Sequence, residues 1–324
     1  MKRRSLVAGA GALALAHPLC AIAQQAWPSK PMTLVVPFPP GGAVDAYGRP
    51  LAAQLSKQLG RQMIIDNRGG AGGTVGASIA AKAAPDGYTF LAGAVHHAIA
   101  PSFYNKLDYD IEKDLVPITT YSNPPHVIVV NPNRVQATDL KSLLELLRKN
   151  PGKYNFGSAG NGTSHHLAGE LFKIQTKTFV VHIPYRGAGP ALQDLIAGNI
   201  DMMFDGLGSS AQHIKSGRVR ALALAAPQRS RTVPEVPTTA ESGLPSYQVS
   251  SWYGMWGVKG TPKEIIDRMH DEIVKALQTP ELRDIWLSQG SEPFTQSSAE
   301  FAKFLHAEIK RWAEVTKASG AKLD

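Results

Sequence analysis

Short apolar runs rich in β-branched residues alternate along the chain with patterns typical of amphipathic helices. Runs that predict strands lie at 32–36, 63–65, 89–92, 127–130, 155–157, 180–183, 202–204 and 221–225. In one intervening stretch, Leu140, Leu143, Leu144 and Leu147 follow an i, i+3, i+4, i+7 spacing, which predicts a helix with one apolar face. Such alternation is typical of α/β proteins with a mainly parallel sheet, and the strands are too numerous for one small sheet.

Two segments rich in turn-forming residues predict connections between two lobes. One spans 116–125 and the other spans 234–247, which is rich in Pro, Thr and Gly. The first lobe is therefore expected to comprise 24–124 together with 246–324, and the second lobe 125–245. A chain that crosses twice between its lobes can move about a hinge.

The first residues have the pattern of an export signal. Lys2, Arg3 and Arg4 precede an uncharged run at 6–15, and a small-residue cleavage site ends at Ala23, which predicts a signal peptide over 1–23. The apolar run is shorter than the roughly 20 residues that span a bilayer. Sec and twin-arginine export both remain open. Cys20 is the only cysteine and falls within the predicted signal, so we expect no disulfide in the mature protein.

The charge of the chain says little about its partners. The formal net charge is +8, and it falls to +5 once the three basic residues of the signal are removed. The basic residues are scattered along the sequence, so nucleic-acid binding is not expected. A mildly positive surface suits anionic ligands, but it is also what ordinary solvated charges produce.

A glycine-rich loop at 37–45 follows the first predicted strand and opens the first predicted helix. Its candidate ligand-binding residues are Pro39, Gly41, Gly42, Ala43 and Asp45. Free N–H groups and the positive end of the helix macrodipole bind anions at such a place. A tight turn in which Asp45 is an ordinary N-cap is the alternative. Another such loop, at 67–76, has Val75 where a dinucleotide motif needs its third glycine, so no cofactor is expected.

The segment at 157–166 is a strand end, a flexible loop and a helix that is expected to begin near Thr163. Its candidate ligand-binding residues are Ser158, Asn161, Thr163, Ser164 and His166. Hydroxyl and N–H groups converge there, so the segment either hydrogen-bonds a carboxylate or simply caps the helix. Phe156 stands where a nucleophile elbow needs glycine, which makes Ser158 a poor nucleophile.

Polar side chains also follow two later strands, at the edge where α/β sheets bind ligands. Tyr185 and Arg186 follow one strand, and the Arg186 guanidinium either pairs with a carboxylate or stays solvated. Asp205 follows the other, where it binds a ligand, caps a neighbour or pairs with Arg186. The histidine pairs at 96–97 and 165–166 lack H-x-x-x-H spacing, so no metal is expected.

Five motifs occur in a fixed order through most of the chain: VPFPPGG at 36–42, APDGY at 84–88, YNFGSAGNGT at 154–163, HIPYRG at 182–187 and SWYG at 251–254. Together they resemble the substrate-binding proteins of tripartite tricarboxylate transporters, also called Bug-type receptors. The resemblance implies a two-lobed periplasmic binding protein of the type II, Venus-flytrap class. It also implies delivery of a small carboxylated solute to the permease subunits of a tripartite transporter in the membrane.

The same resemblance implies where the solute binds. Loops that match 41–45 and 158–164 hold the carboxylate through backbone N–H groups and ordered water, and residues that match Tyr185 and Asp205 line the far side of the cleft. Val44, Gly69 and His165 depart from the family pattern near the cleft, which leaves the identity of the solute open.

We therefore expect a periplasmic, monomeric binding protein that closes around a carboxylate, and not an enzyme. Two alternatives remain from the sequence. One is a ligand receptor for a membrane sensor kinase, which sequence cannot separate from a transport receptor. The other is a serine hydrolase that uses Ser158 or Ser164 with His166, for which the sequence offers no third partner.

Overall fold

The computed structural model describes residues 27–321, so the predicted signal peptide at 1–23 and Cys20 lie outside the described residues. The strands are β1 (Met32–Val36), β2 (Met63–Asn67), β3 (Thr89–Ala94), β4 (Leu115–Ser122), β5 (His126–Val130), β6 (Asn155–Ser158), β7 (Val181–Pro184), β8 (Met202–Gly206), β9 (Arg220–Leu224) and β10 (Tyr253–Val258). The helices are α1 (Ala43–Leu59), α2 (Thr74–Ala81), α3 (His96–Phe103), α4 (Leu140–Lys149), α5 (Ser164–Thr176), α6 (Ala188–Ala197), α7 (Leu207–Lys215), α8 (Lys263–Gln278), α9 (Pro280–Ser288) and α10 (Ser298–Ser319).

The strands form two five-stranded sheets, one in each lobe. The first has the order β2-β1-β3-β10-β4 and the second the order β7-β6-β8-β5-β9. In the first sheet only β10 runs against its neighbours, and in the second only β5 does. The predicted α/β fold with a mainly parallel sheet in each of two lobes is therefore confirmed.

The chain crosses between the sheets at two adjacent segments. Residues 123–125 join β4 to β5, and the return crossing runs beside them, since the Ser251 N–H donates to the Pro124 carbonyl and the His126 N–H to the Val249 carbonyl. The segment at 116–125, predicted as a connection, is mostly strand β4. Its Pro117 is tolerated because β4 is an edge strand. The lobe boundaries at 24–124, 125–245 and 246–324 stay a prediction.

The other predicted connection, 234–247, packs on the second lobe and does not cross. The Leu224 N–H donates to the Pro237 carbonyl, and the Thr239 N–H donates back to Leu224. Tyr247 is fully buried and its hydroxyl donates to the Ala168 carbonyl at 3.0 Å. The crossing therefore lies later than its composition indicated, because the prolines and glycines of this segment form turns over β9.

Helix packing follows the predicted apolar faces. Leu140, Leu143 and Leu147 of α4 are fully buried, as their spacing predicts. Helix α10 begins with a capping box in which the Ser297 hydroxyl accepts the Glu300 N–H and the Glu300 carboxylate accepts the Ser297 N–H. Helix α10 packs on β4 and α3 beside the first sheet and also on α5 beside the second.

Candidate functional site

A cavity lies between the two lobes where their loops face one another. It measures about 520 Å³, counted with the part that opens to solvent. The first lobe and the crossing contribute Phe38, Pro39, Pro40, Gly42, Ala43, Val44, Ala94, His96, Ser251 and Tyr253 to its wall. The second lobe contributes Ala159, Thr163, Ser164, His165, Arg186, Gly187, Ala188, Gly189 and Pro190.

Among the described residues, four helices begin at this cavity. They are α1 at Ala43, α3 at His96, α5 at Ser164 and α6 at Ala188. The first N–H groups of a helix have no acceptor within the helix, and the macrodipole places partial positive charge there. The cavity is therefore surrounded from both lobes by hydrogen-bond donors and positive potential, which suits an anion.

Asp45 shapes the loop that starts α1. Its carboxylate accepts the Gly41 N–H at 3.2 Å and the Asn67 amide at 3.1 Å, and it pairs with Arg49 at 2.5 Å. Burial raises the pKa of this carboxyl, but the hydrogen bonds outweigh burial and the pKa is lowered. Gly42 is the N-cap and Asp45 is the third residue of the helix, so Asp45 is not the cap. It stabilises the turn by accepting the Gly41 N–H.

Gly41 carries the turn that this arrangement requires. Its φ is 82°, in the left-handed region that glycine adopts without strain. Gly42, the next residue, is extended and has no side chain to cap the helix, so the first N–H groups of α1 remain open toward the cavity.

The loop before α5 is held by a buried hydrogen-bond network. The Thr163 hydroxyl donates to the Gly160 carbonyl at 2.7 Å and accepts the His166 N–H. The Ser158 hydroxyl is fully buried, lies 2.6 Å from Nε2 of His182 and accepts the Gly160 N–H at 3.1 Å. This network fixes the position at which the α5 N–H groups enter the cavity.

His166 and His182 form the base of that loop. Their rings stack with centroids 4.0 Å apart, and Nδ1 of His166 accepts the Gly162 N–H at 3.3 Å. Burial lowers the pKa of His166 to about 4 and that of His182 to about 3. Both rings are therefore neutral at neutral pH and support the loop without adding charge to the cavity.

The hydrolase alternative finds no supporting geometry here. The Ser158 hydroxyl contacts His182 and not His166, and it is fully buried. The Ser164 hydroxyl does face the cavity, but it lies 3.3 Å from the hydroxyl of Ser251, which in turn lies 2.6 Å from Nε2 of His126. Burial lowers the pKa of His126 to about 3.

The loop before α6 brings main-chain groups and one cation to the cavity. Gly187 has φ of 122° and precedes Ala188, the first residue of the helix. The Tyr185 hydroxyl donates to Asp194 at 2.7 Å. Arg186 is exposed at the rim, and no ion pair is found for it among residues 27–321.

Asp205 lies behind the cavity wall. It is fully buried and accepts hydrogen bonds from Nε2 of His165 at 3.0 Å, from the Ser209 hydroxyl at 2.7 Å and from the Ser210 hydroxyl at 2.5 Å. Burial alone would raise the pKa of Asp205, but these three donors lower it, so the carboxylate stays ionised. Of this cluster, His165 reaches the cavity.

The sequence-predicted site residues fall into three groups. Those in the wall of the cavity are Pro39, Gly42, Ala43, Thr163 and Ser164. Those behind the wall, in the hydrogen-bond networks or turns that shape it, are Gly41, Asp45, Ser158, His166 and Asp205. Asn161 and Tyr185 line a wider opening beside the cavity, together with Pro39 and Tyr104.

Sequence reasoning did not name His96, His165, Ala188 or Ser251 as site residues. Helix α6 starts at Ala188, which brings Ala188 and Gly189 to the cavity. The departure of His165 from the family pattern was the one signal that pointed to that residue.

Within residues 27–321, no helix has the length and apolar character to cross a bilayer.

Two sheets joined by a double crossing, with an anion-suited cavity between them, define the class of two-lobed solute-binding proteins. The family model described as the tripartite tricarboxylate transporter family receptor matches residues 48–321, so the chain belongs to that family. It is 39% identical over 97% of its length, and 93% of the relative's, to the UPF0065 protein in the tcbD-tcbE intergenic region of Pseudomonas sp. strain P51. It is 36% identical to protein BugT of Bordetella pertussis, over 93% of each chain.

Solved structures of similar proteins agree with this assignment. A protein described as a periplasmic transporter is 42% identical, with a TM-score of 0.89 over 92% of this chain and 100% of its own. R. palustris Rpa4515 with adipate is 32% identical, with a TM-score of 0.87 over 91% and 98%. MatC of Rhodopseudomonas palustris with bound malate is 31% identical, with a TM-score of 0.85 over 89% and 99%.

Proposed function

We propose that this receptor captures a small carboxylate-bearing solute in the cavity between its lobes and is a binding protein without catalytic activity. The observation that carries the proposal is the meeting of helix starts from both lobes at one cavity, with α1 and α3 on one side and α5 and α6 on the other. A carboxylate placed between them accepts N–H groups from both lobes only when the cleft is closed. Its binding energy therefore favours the closed state.

The groups that we assign to direct contact are the first N–H groups of α1, at Ala43, and of α5, at Ser164. Hydrogen bonds to a charged group contribute about 1.5 to 3 kcal/mol each, so three or four of them suffice for micromolar affinity. Pro39, Gly42 and Thr163 shape the wall around those donors. Asn161 and Tyr185 are assigned to the outer mouth of the cleft.

Gly41, Asp45, Ser158, His166 and Asp205 are assigned a positioning role, because each is tied to protein groups that fix the loops. The exposed guanidinium of Arg186 at the rim is suited to a second carboxylate, since a guanidinium binds a carboxylate with two parallel hydrogen bonds. A dicarboxylate bound at both places agrees with the adipate and malate of the two R. palustris structures.

We further propose that the chain is exported to the periplasm by its predicted signal peptide and acts there as a monomer. It then delivers the solute to the permease subunits of a tripartite tricarboxylate-type transporter. The family match and the pattern of residues 1–23 support this placement. Solute uptake by cells that carry both permease subunits, measured with and without this chain, tests the delivery step, and uptake that is independent of the chain would contradict it.

Calorimetry tests the ligand class. Mono- and dicarboxylates are titrated into the protein beside their neutral amides, for example succinate beside succinamide, together with sugars and metal cations. We expect at least one carboxylate to bind with micromolar affinity and its amide to bind far more weakly. Binding of a sugar or a cation with no binding of any carboxylate would overturn the proposal, and native mass spectrometry of the purified protein would then identify the solute that it carries.

A further inference from the structure

His165 presents one ring nitrogen to the protein and leaves the other without a partner. The residue is only 7% exposed, and its Nε2 lies 3.0 Å from Oδ1 of Asp205. Because the Asp205 carboxylate is ionised and can only accept, Nε2 carries the proton of this hydrogen bond. Nδ1 is buried and has no hydrogen-bond partner among the described residues.

The orientation of the ring is fixed by Asp205. This carboxylate is fully buried, and its other hydrogen-bond donors are the hydroxyls of Ser209 and Ser210. Turning the imidazole over would remove one of three hydrogen bonds from a buried charge, which is costly. Nδ1 therefore stays where the structure places it.

Nδ1 lies on the backbone side of the ring, because it is bonded to the ring carbon that joins the side chain. His165 is the second residue of α5 and forms part of the cavity wall, so its unpartnered nitrogen belongs to the same region as the first N–H groups of that helix. In the bound arrangement proposed here, the carboxylate accepts those N–H groups and the next carbon atom of the solute lies close to this nitrogen. A hydroxyl on that carbon can both donate and accept a hydrogen bond, and so pairs with Nδ1.

We propose that His165, held by Asp205, makes the cleft selective for carboxylates that carry a hydroxyl on the carbon next to the carboxylate group. The inference rests on the proposed function, since it concerns the same cavity. A solute without the hydroxyl leaves Nδ1 buried and unpaired in the closed cleft, whereas the hydroxy acid satisfies it. Sites that hydrogen-bond a ligand hydroxyl discriminate strongly against the analogue that lacks it.

Matched pairs that differ by this one hydroxyl provide the test. Malate and succinate, lactate and propionate, and 2-hydroxyglutarate and glutarate are titrated into the wild-type protein by calorimetry. We expect the hydroxy acid to bind about 10- to 100-fold more tightly than its partner in every pair that binds. Equal affinities within the pairs would overturn this inference and leave the proposed function intact, and so would binding of none of the six acids when another carboxylate binds. Binding of no carboxylate at all would overturn both.

Two substitutions at one position separate the ring nitrogens. The amide of His165→Gln takes the place of Nε2 and keeps the contact with Asp205, but leaves nothing at Nδ1, so the preference for the hydroxy acid should disappear. The amide of His165→Asn takes the place of Nδ1 but loses the contact with Asp205, so the preference should be reduced but not abolished. His270→Gln, on the outer helix α8, is the control and should keep the wild-type ratio. A preference that survives in His165→Gln, or that disappears in His165→Asn while the protein stays folded, would contradict the role of Nδ1.

Discussion

Gly72 of the first lobe lies directly against Asn161 of the second: a Cβ atom on Gly72 would stand 2.8 Å from the Asn161 carbonyl oxygen. The Tyr104 hydroxyl, also from the first lobe, donates to the same carbonyl at 3.4 Å. The lobes therefore touch at the outer mouth of the cleft in the state described here. The Gly72 φ of 61° is left-handed, so this position favours glycine for its backbone as well as for its lack of a side chain.

Gly72→Ala should weaken solute binding about tenfold, because the new methyl group meets a backbone oxygen when the cleft closes and a clash of this kind costs about 1 to 3 kcal/mol. Gly60→Ala is the matched control. Gly60 has a nearly equal φ of 64°, but its Cβ would meet no atom within 4 Å. Both variants should lose about 1 kcal/mol of unfolding free energy from their left-handed backbone, and Gly72→Ala should lose more, because its Cβ would also meet the Tyr104 hydroxyl of the same lobe at 2.5 Å. Only Gly72→Ala should lose affinity. Equal dissociation constants for the two variants would show that closure does not involve this contact.

Asp45→Asn should lower the unfolding free energy by about 1 kcal/mol, because the variant loses the ion pair with Arg49 that supports the loop before α1. The pKa of Asp45 is lowered in the folded state, so its stabilising effect is present above the unfolded pKa of about 4 and is lost as pH falls through the folded value. The difference from wild type should therefore narrow below about pH 4.

The measurement is urea unfolding of both proteins at a series of pH values. Asp66→Asn serves as the control, because the Asp66 side chain is 33% exposed against 7% for Asp45, and its pair with Arg68 should change stability by less than about 0.5 kcal/mol. A difference between Asp45→Asn and wild type that grows on acidification would contradict the assigned direction.

His97→Leu should make the protein less sensitive to acid. His97 is fully buried, neither ring nitrogen has a partner among the described residues, and burial lowers its pKa to about 3. A folded pKa below the unfolded value of about 6.5 means that the unfolded chain takes up the proton first, so stability is lost as pH falls below about 6.5. Between pH 7 and pH 5 this one group accounts for about 2 kcal/mol of that loss.

The unfolding free energy at pH 7 and at pH 5 measures the effect. His97→Leu should lose about 2 kcal/mol less than wild type over this interval, whereas His270→Leu, on the outer helix α8, should behave as wild type. His97 is not in the wall of the cavity, so the affinity for carboxylates should not change. An acid response identical to that of wild type would mean that His97 is not the titrating group.

The elements that rest on local pattern were predictable. The leucine spacing of α4 depends on residues within two turns of each other, so the sequence alone was sufficient for it. Strand β10 was missed because Gly254 and Gly257 interrupt its apolar run. Tertiary packing requires glycine at both positions: a Cβ on Gly254 would meet the Phe301 ring at 2.4 Å, and a Cβ on Gly257 would meet Ile266 at 2.6 Å.

The site was predictable at the level of loops and much less at the level of side chains. Glycines and hydroxyl residues mark where helices start, and so the starts of α1 and α5 were located correctly. The direction of a side chain depends on partners distant in sequence, as with His165 and Asp205, which are 40 residues apart. Tyr185 lies at the outer mouth of the cleft, where its hydroxyl donates to Asp194 in the second turn of α6, a contact that the sequence did not indicate.

The central claim is that backbone donors at facing helix starts hold the carboxylate, and Ala43→Pro tests it most directly. Proline is compatible with the first position of a helix and with the extended Gly42 before it, but it has no N–H to give. The control is Ser298→Pro, which places a proline at the equivalent first position of α10. For the carboxylate that wild type binds most tightly, calorimetry should show a dissociation constant about 10- to 100-fold higher for Ala43→Pro and unchanged for Ser298→Pro. An Ala43→Pro protein that is folded and binds as tightly as wild type would contradict the claim.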